Sequence, residues 1–240
     1  MHVRQRITAD AATPCVLLHG LAVSHRYLMP TALRLGGRAV YVPDLPGFGL
    51  SDKPPAVLDV GQHAEAIAAL TDTLGIASAA ILGNSFGCQV AVELVARRPD
   101  LVAALILVSP TTDPAAATMT GQLRRLLRDL PREDWRQMPI LARDLRDAGP
   151  RRIIATLRHA VEDHIDAKLP AISVPTLLVR GDRDPIAPAR WVDHAVALTP
   201  NGHTLTIAAA HNVVTTAGPQ LAAAVDTFLH STADLGGHRE

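Results

Sequence analysis

The chain alternates between short apolar runs and longer segments in which apolar residues recur every three or four positions. Continuous apolar runs are typical of strands buried on both faces of a parallel sheet, and the helical spacing is typical of amphipathic helices. The apolar runs occupy residues 14–18, 39–43, 79–82, 105–108, 174–180 and 205–208, and a further short strand is expected within residues 2–8. The helical pattern occupies residues 25–35, 60–74, 88–98 and 219–230. This alternation predicts an α/β fold, with a mostly parallel central sheet flanked by helices and joined by right-handed crossovers.

The alternation stops after Ser109 and Pro110. Residues 111–170 show no strand pattern, and proline and glycine divide them into short helical stretches. They carry ten arginines and nine acidic residues, which predicts a solvated helical surface rather than an anion site. The leucines at helical spacing are Leu123, Leu126, Leu127 and Leu130, and the paired arginines, weak candidates for contacting an acidic substrate, are Arg124, Arg125, Arg151 and Arg152. We therefore divide the chain into a core domain at residues 1–110, a helical cap insertion at residues 111–170 and the remainder of the core domain at residues 171–240.

Composition narrows the class of partner. The 240 residues are 48% hydrophobic and 19% charged, which suits one compact domain carrying one insertion. A net charge of +0 and an aromatic content of 3% argue against a nucleic acid partner and an anionic membrane surface. The chain shows no signal-peptide pattern and no long apolar stretch, so we expect a cytoplasmic protein without a membrane partner. Cys15 and Cys88 lie in apolar stretches and are expected to be buried thiols rather than a disulfide.

One motif carries chemistry, the pentapeptide Gly83-Asn84-Ser85-Phe86-Gly87. It reads G-x-S-x-G and stands between a predicted strand and a predicted helix, which is the structural context that this motif requires. Gly83 and Gly87 are expected to leave room where the strand and helix backbones come close. The turn would lift the hydroxyl of Ser85 above the carboxyl edge of the sheet, at the N-terminus of a helix.

Two further residue types complete a catalytic pattern. A serine hydroxyl becomes a good nucleophile only when a base takes its proton, and the base needs a carboxylate to hold it. His211 follows the last predicted strand, and Asp182 and Asp184 both follow the strand before it. Pro185 biases Asp184 toward an extended backbone, which would aim its carboxylate at His211. Asp113, after an earlier strand, is a third and weaker candidate for the acid.

The sequence resembles the α/β-hydrolases of the single-domain, capped kind. The resemblance rests on five stretches that span nearly the whole chain: residues 18–21 (LHGL), 44–54 (DLPGFGLSDKP), 83–87 (GNSFG), 181–185 (GDRDP) and 210–211 (AH). It implies that Ser85 is the nucleophile, Asp184 the acid and His211 the base. It also implies an oxyanion hole formed by the backbone N–H groups of Leu21 and Phe86. The 11 histidines are scattered without ligand spacing, so we expect no metal, and we expect no cofactor.

Two features depart from the family's usual pattern. Only 18 residues precede His19, so the usual leading antiparallel hairpin is expected to be reduced. Ala210 stands where the family often has a glycine before the histidine. Neither departure bears on the three catalytic positions.

The substrate stays open at this point. The first hypothesis is a serine hydrolase that acts on an ester, thioester or lactone bond of a small apolar molecule. The second is a C–C bond hydrolase of a β-diketone-like acid, which would need a carboxylate-binding arginine in the pocket. The third is a binding protein on a hydrolase scaffold, which would have no need of an intact triad. The only partner that we expect is a small-molecule substrate, and a homodimer is compatible with the sequence.

Overall fold

The protein is described by a computed structural model, which covers residues 1–8 and 12–236. Within those residues a seven-stranded sheet has the order β1-β3-β2-β4-β5-β6-β7, in which β1 alone runs antiparallel to its neighbour. The strands are β1 (Val3–Arg6), β2 (Cys15–Leu18), β3 (Val40–Pro43), β4 (Ala79–Asn84), β5 (Val102–Val108), β6 (Thr176–Gly181) and β7 (Gly202–Ile207). The helices are α1 (His25–Ala32), α2 (Val60–Thr73), α3 (Phe86–Arg97), α4 (Met119–Asp129), α5 (Met138–Ala148), α6 (Pro150–Glu162), α7 (Ile165–Lys168), α8 (Ala189–Leu198), α9 (Val213–Thr216) and α10 (Gly218–Gly236). The prediction of a mostly parallel α/β sheet is confirmed.

Alternate side chains of the central strands enter two separate cores. Val16 and Leu18 of β2 belong to a cluster that includes residues of α2, α3 and α8. Cys15 and Leu17 of the same strand belong to a second cluster, with residues of α1 and α10. Because side chains of a strand point alternately to opposite faces, both faces of the sheet are covered by helices. This two-sided burial explains why the strands read as continuous apolar runs in the sequence.

The strand order creates a crevice at the carboxyl edge of the sheet. After β2 the chain moves outward to β3, and it then returns to the other side of β2 to form β4. The loops that follow β2 and β4 therefore diverge, and in open parallel sheets ligands bind at such a switch point. Ser85 follows β4 at this point.

The segment between β5 and β6 is helical, as predicted, and contains α4 to α7. We call it the α4–α7 segment. Helix α4 buries a polar face, made of Gln122, Arg125 and Asp129. The four leucines at helical spacing are instead 48–62% exposed. The expectation of a solvated arginine surface is wrong for Arg125, which is 8% exposed. The pattern of apolar residues thus locates the helix correctly but indicates the wrong buried face.

Helices α1 and α8 differ from the sequence predictions. Helix α1 ends at Ala32, three residues earlier than predicted. The amide of Leu33 still bonds the carbonyl of Met29 four residues back, but the amide of Arg34 bonds the carbonyl of Thr31 only three residues back, which tightens the chain at the helix end. Helix α8 is absent from the sequence-based predictions. It has only ten residues and is preceded by Pro188, but its buried Trp191, Val192 and Ala195 recur at helical spacing, so the pattern could have identified it.

Two further observations concern the cysteines and the helices. Cys15 and Cys88 are free and buried, as predicted. Burial raises the pKa of the Cys15 thiol to about 12 and also raises that of Cys88, so both thiols stay protonated. Across the described residues, every helix is too short or too polar to cross a bilayer.

Candidate active site

Ser85 occupies a strained turn between β4 and α3. Its backbone has φ 53° and ψ −116°, a conformation that residues other than glycine rarely adopt. A Cβ placed on Gly83 would lie 2.4 Å from the carbonyl oxygen of Gly87, and a Cβ placed on Gly87 would lie 2.3 Å from that of Leu18. The close approach of strand and helix predicted for this motif is therefore confirmed, and it depends on both glycines.

The structure brings Ser85, His211 and Asp184 together. The Nε2 atom of His211 lies 3.0 Å from the Oγ of Ser85, and its Nδ1 atom lies 2.9 Å from the Oδ2 of Asp184. The other oxygen of Asp184 accepts hydrogen bonds from the backbone N–H groups of Ile186 at 2.7 Å and Ala187 at 2.9 Å. A proton on Nδ1 satisfies Asp184 and leaves the Nε2 lone pair directed at the serine hydroxyl.

The other two candidate carboxylates have different partners. Asp182 accepts a hydrogen bond from the backbone N–H of Ala209 at 3.0 Å. Asp113 accepts hydrogen bonds from the guanidinium groups of Arg125 and Arg190. Asp184 is therefore the one of the three candidates that contacts His211.

Electrostatics couple the acid to the base. Burial opposes ionisation of Asp184, but attraction to His211 and its hydrogen bonds hold the pKa of this carboxyl below its ordinary value. Burial also disfavours the charged imidazole, yet the attraction of Asp184 and its hydrogen bond raise the pKa of His211 to about 9. Asp184 thus stabilises the protonated imidazole of His211. A general base needs this stabilisation after it has accepted the proton of the nucleophile.

The two residues predicted to form the oxyanion hole lie on the loop after β2 and at the start of α3. Phe86 is the first residue of α3, so its N–H belongs to the amides that have no acceptor within the helix. Leu21 directly follows Gly20, which lies against the nucleophile, since a Cβ on Gly20 would be 3.3 Å from that of Ser85. The loop after β2 and the start of α3 therefore approach Ser85 from two sides.

His19 fixes the loop that carries Leu21. It is fully buried, and burial lowers the pKa of its imidazole, so the ring is neutral. Its Nδ1–H donates to the carbonyl of Gly20 at 2.8 Å, while its Nε2 accepts from the backbone N–H of Leu45 at 2.9 Å. One imidazole thus ties the loop after β2 to the loop after β3.

Asp44 anchors the long loop that follows β3. Its carboxylate accepts the backbone N–H of His25 at 2.7 Å, the backbone N–H of Leu50 at 2.9 Å and the Nδ1–H of His25. Burial would raise the pKa of Asp44, but these hydrogen bonds lower it to about 2. These contacts tie the loop after β3 to the start of α1.

The same aspartate belongs to one set of residues that could hold a metal ion in the described part of the chain. Ligand atoms of His2, His25 and Asp44 lie within 4.8 Å of one another. These residues are far apart in the sequence, so no ligand spacing points to them. The Asp44 oxygens already accept hydrogen bonds from the protein.

Ser109 is a site residue that the sequence did not indicate. It is fully buried, with φ 50°, and its hydroxyl donates to the carbonyl oxygen of His211 at 3.0 Å. It directly follows β5, at the same sheet edge as Ser85. A polar residue immediately after a buried strand is the signal that could have identified it. Arg125, Asp129 and Glu133 from the α4–α7 segment also contact the loops of the site. The paired arginines indicated Arg125 as a candidate for an acidic substrate and not for this role, and no local pattern marks the two acids.

Comparisons with known proteins identify the family and the fold. A family model described as alpha/beta hydrolase fold matches residues 13–147. The lipase LipV of Mycobacterium tuberculosis is 34% identical over 128 residues, which cover 53% of this chain and 46% of the lipase. The chain spans less than half the length of the first curated relatives that it matches.

Solved structures show the same fold. A thermophilic esterase from Thermogutta terrifontis superposes with a TM-score of 0.81 and 23% identity, over 96% of this chain and 93% of the esterase chain. An enol-lactonase from Burkholderia xenovorans LB400 superposes with a TM-score of 0.81 and 21% identity, over 95% of this chain and 96% of the lactonase chain. At these identities the likeness is one of fold.

Proposed function

The chain belongs to the α/β hydrolase fold family, and we propose that it acts there as a serine hydrolase on an ester, thioester or lactone bond of a small apolar molecule. The observation that carries this proposal is the pair of contacts at His211. Its Nε2 lies 3.0 Å from the hydroxyl of Ser85 and its Nδ1 lies 2.9 Å from the carboxylate of Asp184. Nucleophile, base and orienting acid are therefore within hydrogen-bond reach of one another.

Acylation uses each of these groups once. The Oγ of Ser85 attacks the acyl carbon while its proton moves to Nε2 of His211, and Asp184 stabilises the imidazolium that forms. Negative charge develops on the carbonyl oxygen of the substrate, where the backbone N–H groups of Leu21 and Phe86 would receive it. When the intermediate collapses, the bond to the leaving group breaks and Nε2 returns the proton to that group.

Deacylation repeats the steps with water. His211 takes a proton from a water molecule as its oxygen attacks the acyl carbon of the Ser85 ester. The tetrahedral intermediate then expels the Ser85 oxygen, which regains its proton from Nε2. The acid product leaves, and the enzyme returns to its starting protonation state.

Acyl chemistry is favoured over the alternatives by particular residues. Haloalkane dehalogenases and soluble epoxide hydrolases of this family use an aspartate at the position of Ser85. A C–C bond hydrolase of a β-diketone-like acid would need an uncommitted cation beside the serine. Arg125, a buried guanidinium of the α4–α7 segment, is neutralised by Asp113 and bonded to the carbonyl of Ile186, so it does not meet this need.

The α4–α7 segment has the part of a cap in this proposal. It lies between β5 and β6 and contacts the loops that carry Asp184 and His211. Residues 111–170 would therefore shape the acyl pocket from above the sheet edge, while the residues on either side form the catalytic core.

The proposal is tested by a substrate panel with a matched variant. Purified protein is assayed with p-nitrophenyl esters of increasing acyl length, beside acyl thioesters and lactones, and Ser85→Ala is assayed in parallel. We expect turnover of at least one acyl class and a loss of about 10⁴–10⁶-fold in kcat for the variant. Turnover of a β-diketone acid without turnover of any ester would favour C–C cleavage, and equal activity of the variant would exclude a serine mechanism.

A further inference from the structure

Helix α4 buries a polar stripe toward the active site. Gln122, Arg125 and Asp129 are spaced so that they lie along one face of the helix, and they are 8%, 8% and 3% exposed. A surface helix ordinarily turns an apolar stripe to the core. Burying a guanidinium and a carboxylate is unfavourable unless each finds a partner, so the partners of this stripe indicate its role.

Arg125 holds the peptide beside Asp184. One terminal nitrogen of its guanidinium donates to the carbonyl oxygen of Ile186 at 2.8 Å. The N–H of the same Ile186 donates to the carboxylate of Asp184 at 2.7 Å. The other terminal nitrogen of Arg125 donates to Asp113, which also binds Arg190 at the start of α8. The loop that positions Asp184 is therefore hydrogen-bonded to α4 through the buried guanidinium of Arg125, whose charge Asp113 neutralises.

Asp129 and Glu133 hold two consecutive amides of the His211 loop. The backbone N–H of His211 donates to the Oδ1 of Asp129 at 3.3 Å, and the backbone N–H of Asn212 donates to the Oε1 of Glu133 at 2.8 Å. Ser109 adds a third hydrogen bond, which its hydroxyl donates to the carbonyl oxygen of His211. The backbone of the triad histidine is thus bound on its N–H side by the α4–α7 segment and on its carbonyl side by the core.

On the basis of the proposed function, we infer that Arg125, Asp129 and Glu133 are positioning residues, which keep the Asp184 and His211 loops at triad distance. The α4–α7 segment then belongs to the catalytic apparatus and does more than cover the substrate. A displacement of about 1 Å at the reacting atoms can reduce the rate about 10²-fold, so contacts on the two loops are sufficient to control turnover.

The positioning carboxylates also act on the charge of the imidazole. Burial and the neighbouring carboxylates raise the pKa values of both acids, that of Glu133 to about 7. Both acids in turn contribute to the raised pKa of His211. The titratable and charged groups that face the pair are Asp184 and His211 on the catalytic loops, Tyr27 on α1, and Arg132, Asp134 and Arg183, which line a cleft of about 250 Å³ beside Glu133. Removing the charge of Asp129 should therefore lower the pKa of His211.

The test compares Asp129→Ala with Asp129→Asn. The alanine removes both the acceptor and the charge, whereas the asparagine keeps an oxygen for the His211 amide and removes only the charge. We expect Asp129→Ala to lower kcat about 10–100-fold with KM changed less than about threefold, and Asp129→Asn to recover most of kcat. In both variants the acidic limb of the kcat/KM profile should move to lower pH.

Asp147→Asn is the matched control. Asp147 is another carboxylate of the α4–α7 segment, and its ion pairs are with Arg143 and Arg146 of its own helix. It should leave kcat and the acidic limb unchanged. If Asp129→Ala does not fold, Glu133→Ala supplies the test, because it removes the acceptor of the Asn212 amide and should lower kcat about 10-fold, whereas Glu133→Gln keeps an acceptor and should recover most of the rate.

A proton NMR spectrum separates this inference from the proposed function. The low-field resonance of the Nδ1–H of His211, which bonds Asp184, reports the assembled pair whether or not the protein turns over a substrate. Its presence in the wild type without any hydrolysis would contradict the proposed function alone. Its loss in Asp129→Ala and retention in Asp147→Asn would support the inference. An unchanged resonance together with wild-type kcat and pH profile in the Asp129 variants would overturn it.

Discussion

Ser85 combines a strained backbone with a preformed partner. Its φ of 53° is held by the surrounding turn, and its hydroxyl already lies at hydrogen-bond distance from His211. Strain of this kind costs of the order of 1–3 kcal/mol and persists where the surrounding structure over-determines it. At this residue the strain directs the hydroxyl away from the end of β4 and toward the base.

The assignment of the acid can be tested at single residues. Asp184→Asn should lower kcat by roughly 10⁴-fold, because an amide cannot stabilise the imidazolium and can hold the ring in the wrong tautomer. Asp182→Asn should keep most of the rate, since Asp182 bonds the backbone of Ala209 and not His211. Steady-state kinetics on both variants measures the difference. A loss concentrated in Asp182→Asn would contradict the assignment.

The pH dependence follows from the raised pKa of His211. The base works only when it is neutral, and its pKa is raised above the ordinary 6.5 to about 9. The value of kcat/KM should therefore rise with pH, with an acidic limb above pH 6.5. In Asp184→Asn the residual activity should show this limb at lower pH, because the main attraction that raises the pKa is gone. A wild-type limb below 6.5 would contradict the coupling.

The strand–turn–helix element around Ser85 depends on close backbone contact. A Cβ on Gly87 would lie 2.3 Å from the carbonyl oxygen of Leu18, so Gly87→Ala must displace β2 from α3. Overpacking of this kind typically destabilises by about 1–3 kcal/mol, which in a chain of this length lowers the melting temperature by roughly 2–12 °C.

Gly36→Ala is the control for this element. A Cβ on Gly36 would lie 3.6 Å from the carboxylate of Asp226, an ordinary contact, and should change the melting temperature little. Thermal unfolding followed by circular dichroism measures both variants. Equal melting temperatures for Gly87→Ala and the wild type would contradict the close approach.

Elements with a continuous apolar pattern could be predicted from the sequence, and elements whose burial depends on distant partners could not. Strand β4 is apolar because both of its faces are covered, so a continuous apolar run in the sequence is enough to predict it. The buried face of α4 is determined by Asp113 and Ile186, which meet Arg125 only in the folded chain. For this reason the leucine pattern of α4 indicates a helix but not the face that it buries.

The same reasoning applies to the active site. Ser85, Asp184 and His211 could be brought together from the sequence, because each follows a parallel strand and those strands end at one edge. Their supports, Ser109 and Asp129, could not, because backbone amides and carbonyls of the loops are their partners. Such contacts leave no periodic signal in the sequence.

At the scale of the whole molecule, the α4–α7 segment and the sheet share one core. Ala160, Ile165 and Leu169 of the segment lie in the same buried cluster as Ile81 and Leu107 of the central strands. We therefore expect a single calorimetric unfolding transition, with a calorimetric enthalpy equal to the van't Hoff enthalpy. Two separate transitions would show that the segment unfolds as an independent domain.

A buried polar contact also joins the α4–α7 segment to the start of α1, so breaking it should destabilise the molecule as a whole. The carboxylate of Asp144 on α5 accepts the hydroxyl of Ser24 at 2.8 Å and binds Arg26 at 2.8 Å. Asp144→Ala leaves the buried Ser24 hydroxyl without this acceptor, which costs about 1–3 kcal/mol and should lower the single melting temperature by roughly 2–12 °C. Asp147→Asn serves again as the control, because the Asp147 side chain is partly exposed and its ion pairs are with Arg143 and Arg146 of its own helix.

The central claim is that Ser85 forms a covalent acyl intermediate, and irreversible trapping tests it most directly. The protein is incubated with a p-nitrophenyl alkylphosphonate, and intact mass, peptide mapping and residual esterase activity are followed together. We predict one adduct per chain, located on Ser85, with activity lost in proportion to labelling and no adduct on Ser85→Ala. Complete labelling of another residue, or hydrolysis that continues at full rate after Ser85 is labelled, would contradict the account.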